Sequence, residues 1–183
     1  MTITTTSILV LWLVFLAYWA ISAKGIKEDV YRENTWWRYV GIILVFLYVA
    51  LPLPSYLRGP FVPQNPATNT IAVALCAVGI ALAIWARRHL GANWSAFPAL
   101  KKEHELVTSG PYRFVRHPIY TGILCAILGS VLIADVFWFV VLIFFGGVFA
   151  YRVKAEERIM MERFPETYPD YKKRTKALIP FVW

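Results

Sequence analysis

Ile119 to Tyr151 is a run of 33 residues with one charged side chain, Asp135. As a single helix at 1.5 Å per residue it would extend about 50 Å, far past a hydrocarbon core of roughly 30 Å even when tilted. The run therefore reads as two helices folded back near Asp135, over about 118–134 and 136–151. Each is a little short for a full crossing, which fits local thinning of the bilayer or a shallow hairpin.

Three more apolar runs precede it. No charged side chain occurs from Met1 to Ala23, giving a first span over about 6–23 that is expected to be retained, with no cleavage site after it. A second span covers about 39–57, with Pro52 and Pro54 kinking or ending its last turn. The third covers about 69–86 and is stopped by Arg87 and Arg88. Pro60, Pro63 and Pro66 mark the loop between the second and third. The expected fold is all-α: one polytopic membrane domain over residues 1–183 with about five transmembrane helices, the last two forming a helical hairpin, followed by a helical tail. Charged residues are 16% of the chain, against roughly 25% in soluble domains, so this composition suits lipid as solvent.

Charge placement sets the expected orientation. Of the 19 Lys and Arg, four follow the first span, one the second, six the third, none the hairpin turn and eight the fifth. Cytosolic loops carry the basic excess, so the N-terminus is expected outside, with the first loop, the third loop and the tail in the cytosol. A four-span chain would put the eight-charge tail outside. The net charge of +8 thus has its explanation at a membrane surface, and no nucleic-acid partner is expected. Cys76 and Cys125 both lie inside apolar runs, as small packing residues do, and suggest neither a disulfide nor zinc.

Nearly all the unusual polar residues fall in 87–118 and 152–183, which this topology places on one face. In Arg116-His117-Pro118-Ile119-Tyr120 the proline suits a first helical turn and pushes His117 out of helical geometry. His117 then sits at the positive end of the helix dipole, a natural seat for an anion. The same five residues would equally serve as interface markers, with Tyr120 in an aromatic belt. Upstream, His104-Glu105-Leu106-Val107 leads to a turn at Gly110-Pro111 and then to Tyr112, a bend able to fold His104 back toward His117. His89, His104 and His117 share this loop, but no helical ligand pair or cysteine accompanies them, and no metal is expected.

In the tail, Arg152 and Glu156 share a helical face, while Glu157 lies about 100° further round and points elsewhere. Such a pair is either a surface ion pair of about 0–1 kcal/mol, or a working pair. In the second case the arginine fork grips a carboxylate and the glutamate takes a cationic group. Met160, Met161, Phe164, Tyr168 and Tyr171 suggest an amphipathic tail lying on the bundle or the membrane surface.

In their order and spacing these segments resemble the isoprenylcysteine carboxyl methyltransferase family and its bacterial relatives. The matching pieces are His104 through Gly110, Tyr112, Arg116 through Tyr120, Arg152 with Glu156-Glu157, Phe164 through Tyr171, and Ile179-Pro180-Phe181. They cover roughly the last half of the chain. The resemblance implies methyl transfer from S-adenosyl-L-methionine to a lipophilic or lipidated acceptor at the cytosolic surface, through the carboxylate of an isoprenylcysteine-like or other lipid-like molecule. By motif position it implies donor contacts at His104, Glu105, Leu106, Val107, Tyr112, His117, Pro118, Ile119, Tyr120 and Glu156. It implies a substrate-carboxylate contact at Arg152. Phe97 stands where family members can place a polar contact, and the extra N-terminal spans of eukaryotic members are not found; both bear on the acceptor more than on the donor.

Two rival readings use the same residues. One is an NADPH-dependent enzyme like the sterol reductases, against which stands the lack of an added basic cluster for a 2′-phosphate. The other is a non-enzymatic membrane scaffold or transport subunit, which would leave His117, Tyr120 and Glu156 without a shared task.

Overall fold

A computed structural model of the chain describes residues 2–22, 29–32, 59–60, 62–95, 99–101 and 105–179. In chain order these form α1 (Ile3–Ser22), β1 (Asp29–Arg32), α2 (Pro66–Leu90), β2 (Ala99–Lys101), α3 (Pro118–Val131), α4 (Val136–Arg163) and α5 (Tyr168–Arg174). Single 3-10 turns occupy Gly91–Asn93 and Gly110–Arg113. The expected span at 39–57 and the expected site residue His104 lie outside the described residues.

Local chemistry explains the helix ends. Asn65 caps α2 by accepting from the Thr68 N–H at 2.9 Å, and Pro66 fills its first turn. Arg87, Arg88 and His89 face the negative end of its dipole, and Gly91, at φ +56°, ends it. Asp135, the single charge in the long apolar run, is what divides that run. It caps α4 by accepting from the Phe137 N–H at 3.1 Å.

Ile3–Ser22, Pro66–Asn93 and Val136–Arg163 are long and apolar enough to cross a membrane. α3, with 14 residues, reaches only about 21 Å. Leu13 and Leu16 on α1, Val78 on α2 and Ile143 on α4 are exposed, as lipid-facing side chains are. Inside, α2 and α3 pack through small residues that let the backbones approach closely. A Cβ on Gly79 would lie 2.5 Å from both the Ala126 nitrogen and the Gly122 oxygen, and one on Gly129 2.6 Å from the Ala72 oxygen. This antiparallel contact sets the start of α3 beside the end of α2.

Among the described residues, one two-stranded sheet departs from an all-helical fold. β1 pairs antiparallel with β2, with Asp29 opposite Lys101. Hydrophobic periodicity cannot register strands of three or four residues, whose backbone groups simply find partners in each other. The pairing ties the first loop to the third. At the opposite end of the bundle, Gln64 Nε2 donates to the Leu132 oxygen at 3.1 Å. After α5 the chain returns to the start of α3. There the N–H groups of Arg116 and His117 donate to the Lys176 and Ala177 oxygens at 2.8 and 3.0 Å.

Candidate active site

Pro118 opens α3 and leaves His117 at φ −126°, ψ +60°, outside helical geometry. From there the imidazole reaches α4, with Nδ1 3.3 Å from Glu156 Oε2 and Nε2 3.6 Å from Glu157 Oε1. Glu157 therefore does not point away as the helical spacing suggested. The ring of His117 lies between the two carboxylates, with Nε2 too far from Glu157 to hydrogen-bond and without a partner among the described residues. Tyr120, in the first turn of α3, donates its hydroxyl to Glu156 Oε1 and accepts from Arg152 Nε at 2.8 Å. Arg152 Nη2 completes the set by donating to the same Glu156 oxygen at 3.1 Å.

A second set of charges lies around Glu157. Arg116 Nε donates to Glu157 Oε1 at 2.7 Å and Lys172 Nζ lies 2.7 Å from Oε2. Arg116 Nη1 also donates to the backbone oxygens of Thr175 and Lys172, so this set anchors the tail. Glu157 is nearly enclosed, whereas about a quarter of the Glu156 side chain is open.

The electrostatics follow from this arrangement. Burial disfavours the imidazolium of His117, but the two facing carboxylates outweigh it and raise the pKa above 6.5. Glu156 and Glu157 lie on the polar extension of α4, past its apolar stretch. Burial alone would raise both carboxyls, yet each is held at about 2. His117 is the main cause for both, helped by Arg152 at Glu156 and by Lys172 and Arg116 at Glu157. The two carboxylates thus favour the charged form of the imidazole between them.

A cleft of about 810 Å³, counting the part open to solvent, lies at this mouth. Glu156, His117, Arg116 and Glu105 give it a charged side. Leu90, Trp94, Leu106, Val107, Tyr112 and Ile119 make most of the remainder apolar. Among the described residues, no group of His, Cys, Asp and Glu is arranged to hold a metal ion.

Of the residues expected at the site, Glu105, Leu106, Val107, Tyr112, His117, Ile119, Tyr120 and Glu156 all line the cleft. Pro118 is fully buried beneath it. Arg152, 6% exposed, stands behind Tyr120 and Glu156 rather than in the wall. Asn93, Trp94, Ser95 and Met160 also line the cleft and were not expected there. Met160 had a signal, since it lies one helical turn beyond Glu156. Trp94 had none, because its place depends on Arg87. That guanidinium sits 4.4 Å over the indole and donates to the Gly91 and Ser22 oxygens, while Trp19 packs edge-on at 5.6 Å.

The sequence model of the phospholipid methyltransferase family matches residues 67–167, more than half of the chain. The chain belongs to that family. The match runs from the start of α2 through α4 and takes in every residue of the two sets of charges except Lys172. This family member is 31% identical over 118 residues to the protein-S-isoprenylcysteine O-methyltransferase of Schizosaccharomyces pombe, covering 62% of this chain and 50% of that one. It is 31% identical over 135 residues to the cobalt-zinc-cadmium resistance protein CzcN of Cupriavidus metallidurans, covering 72% and 60%. Among solved structures it is similar to the eukaryotic intramembrane Ras methyltransferase ICMT (isoprenylcysteine carboxyl methyltransferase). There the TM-score is 0.60 at 26% identity, over 82% of this chain and 55% of that one. The resemblance read from the second half of the sequence is borne out. The chain spans about half to three-fifths of the length of these relatives.

Proposed function

We propose that this chain is an integral membrane methyltransferase that uses S-adenosyl-L-methionine and methylates the carboxylate of a lipophilic, isoprenylcysteine-like acceptor. One observation carries the reading: an apolar cleft at a helix mouth with Glu156, part open, held ionised at its charged side by His117, Tyr120 and Arg152.

The cleft suits the donor. Glu156 would take the donor's ammonium, and His117, whose charged form its neighbours favour, would face its carboxylate. Leu106, Val107 and Trp94 would cover the flat base. When bound, S-adenosyl-L-methionine supplies a methyl group already activated on a sulfonium. Tyr112 would face that cation, a contact of about 0.5–2 kcal/mol. Tyr120 suits this role less, because its ring already lies parallel to His117 and Phe149, with Arg152 5.2 Å from its centroid.

The chain's remaining task is to align the acceptor and exclude water, and positioning of this sort can supply about 7–11 kcal/mol. Arg152 would hold the acceptor carboxylate. To do so it exchanges one of its bonds to Tyr120 and Glu156 for a bond to the substrate. An ionised carboxylate needs no general base. That favours it over an amine, which would need one.

Topology is part of the proposal. β1–β2 pairing supports placing the first and third loops on one side, and the Arg116 and His117 bonds to Lys176 and Ala177 support placing the tail with them. The Gln64–Leu132 contact supports a common opposite side for the second loop and the hairpin turn. Five spans with the N-terminus outside satisfy all three, and the basic excess then makes the cleft side cytosolic.

Calorimetric titration of the detergent-purified chain with S-adenosylhomocysteine and with NADPH tests the function. Binding of S-adenosylhomocysteine alone is expected. Binding of NADPH alone would favour a reductase, and binding of neither a scaffold.

A further inference from the structure

His89 is left over by the site just described. It sits exposed on the last turn of α2, and its ring packs on the turn from Ser109 to Tyr112. Nε2 lies 2.8 Å from Ser109 Oγ. The ring covers Gly110 so closely that a Cβ there would come within 2.7–2.8 Å of Cε1, Nδ1 and Nε2, and Gly110 holds φ +59°, a conformation that excludes most side chains. The ring is also inclined by 25° to that of Tyr112, with centroids 6.5 Å apart.

From the other side, Tyr171 of α5 donates its hydroxyl to the Tyr112 oxygen at 2.7 Å. The turn is therefore gripped between α2 and α5. Glu105, Leu106 and Val107 run directly into it, and with Tyr112 they form one wall of the cleft. An exposed imidazole buries little apolar surface, so these contacts do more to fix where the turn lies than to stabilise the bundle.

We infer that His89 is a positioning residue for the methyl donor: it holds the Ser109–Tyr112 turn in register, and with it the wall formed by Glu105 to Val107, without itself touching the bound molecule. This rests on the methyl-transfer reading. Small displacements of a binding wall by a remote residue are costly, reaching on the order of 100-fold for a shift of about 1 Å.

The test is calorimetric binding of S-adenosylhomocysteine to the full chain in detergent, for the wild type and for His89→Ala, His89→Gln and Ser109→Ala. Thermal unfolding is recorded for each, and donor KM and kcat are measured where turnover can be followed. His89→Ala is expected to weaken binding by roughly tenfold or more and to raise donor KM with kcat unchanged. His89→Gln keeps a side-chain amide able to donate to or accept from Ser109 Oγ and is expected to recover most of the affinity. Ser109→Ala removes only the hydrogen bond and is expected to lose several-fold, about what one neutral hydrogen bond is worth. Unchanged affinity in His89→Ala would overturn the inference. So would losses that merely track a falling unfolding midpoint in all three variants. Failure of the wild type to bind S-adenosylhomocysteine would instead remove the methyl-transfer reading, and this inference with it.

Discussion

Tyr120 on α3 donates its hydroxyl to Glu156 on α4, and Arg152 reaches both residues from behind. The hydroxyl thus spans the two helices at the edge of the cleft. Tyr120→Phe leaves the ring stacked on Phe149 but strips one partner each from Arg152 and Glu156. An unsatisfied group of this kind costs about 1–3 kcal/mol, so the unfolding midpoint should fall and S-adenosylhomocysteine should bind several-fold more weakly. Wild-type affinity in this variant would show that Glu156 needs no such support.

Glu156 and Arg152 should separate in their effects. Glu156→Ala is expected to abolish donor binding by calorimetry. Arg152→Ala is expected to retain measurable donor binding, since His117 and Tyr120 still hold Glu156, and to lose turnover of a carboxylate acceptor. Intact turnover without Arg152 would assign the acceptor carboxylate to another group.

The charge sets predict the shape of the pH–stability profile. A raised His117 pKa contributes stability that is complete below its ordinary value of 6.5 and is lost as pH climbs through the raised value. Depressed carboxyls act oppositely. Glu156 and Glu157 contribute fully above their ordinary 4.5 and lose that contribution as pH falls through about 2. Unfolding midpoints in detergent should therefore be highest between about pH 4.5 and 6.5 and decline on both sides, and His117→Gln should flatten the alkaline decline. A midpoint that rises above pH 6.5 in the wild type would contradict the raised His117 pKa.

Glycines in the bundle should not be equivalent. Gly79→Ala places a methyl 2.5 Å from the backbone of α3, so the helices must separate, at a cost of about 1–3 kcal/mol or more. Gly146 on α4 has nothing within 4 Å of its would-be Cβ. Gly146→Ala should be neutral or stabilising by up to about 1 kcal/mol. Thermal unfolding of the two variants side by side makes the comparison.

Much of this was legible in the residues. Pro118 and the apolar run after it place His117 at a helix mouth, and helical spacing alone pairs Arg152 with Glu156. The meeting of the two charged segments was also readable, because the distribution of Lys and Arg assigns both to one side. Three things were not readable. Glu157 reaches His117 because the approach of α3 to α4 sets the ring between two successive carboxylates, and no single-helix projection contains the other helix. Arg152 is withdrawn from the cleft because Tyr120 stands in front of it, a depth relation that spacing does not encode. Trp94 owes its position to Arg87 and Trp19, contacts across three segments with no local pattern.

The N–H groups of Arg116 and His117 are paired with the oxygens of Lys176 and Ala177, residues synthesised long after them. The apolar helices can therefore enter the bilayer in order while the mouth of α3 still lacks its backbone partners. Ligand competence is then a late event in biogenesis. A released chain truncated before Thr175 is expected to insert and form its helices yet fail to retain a ligand, and recovery of binding would mark the addition of the segment bearing Lys176 and Ala177 rather than the completion of the bundle.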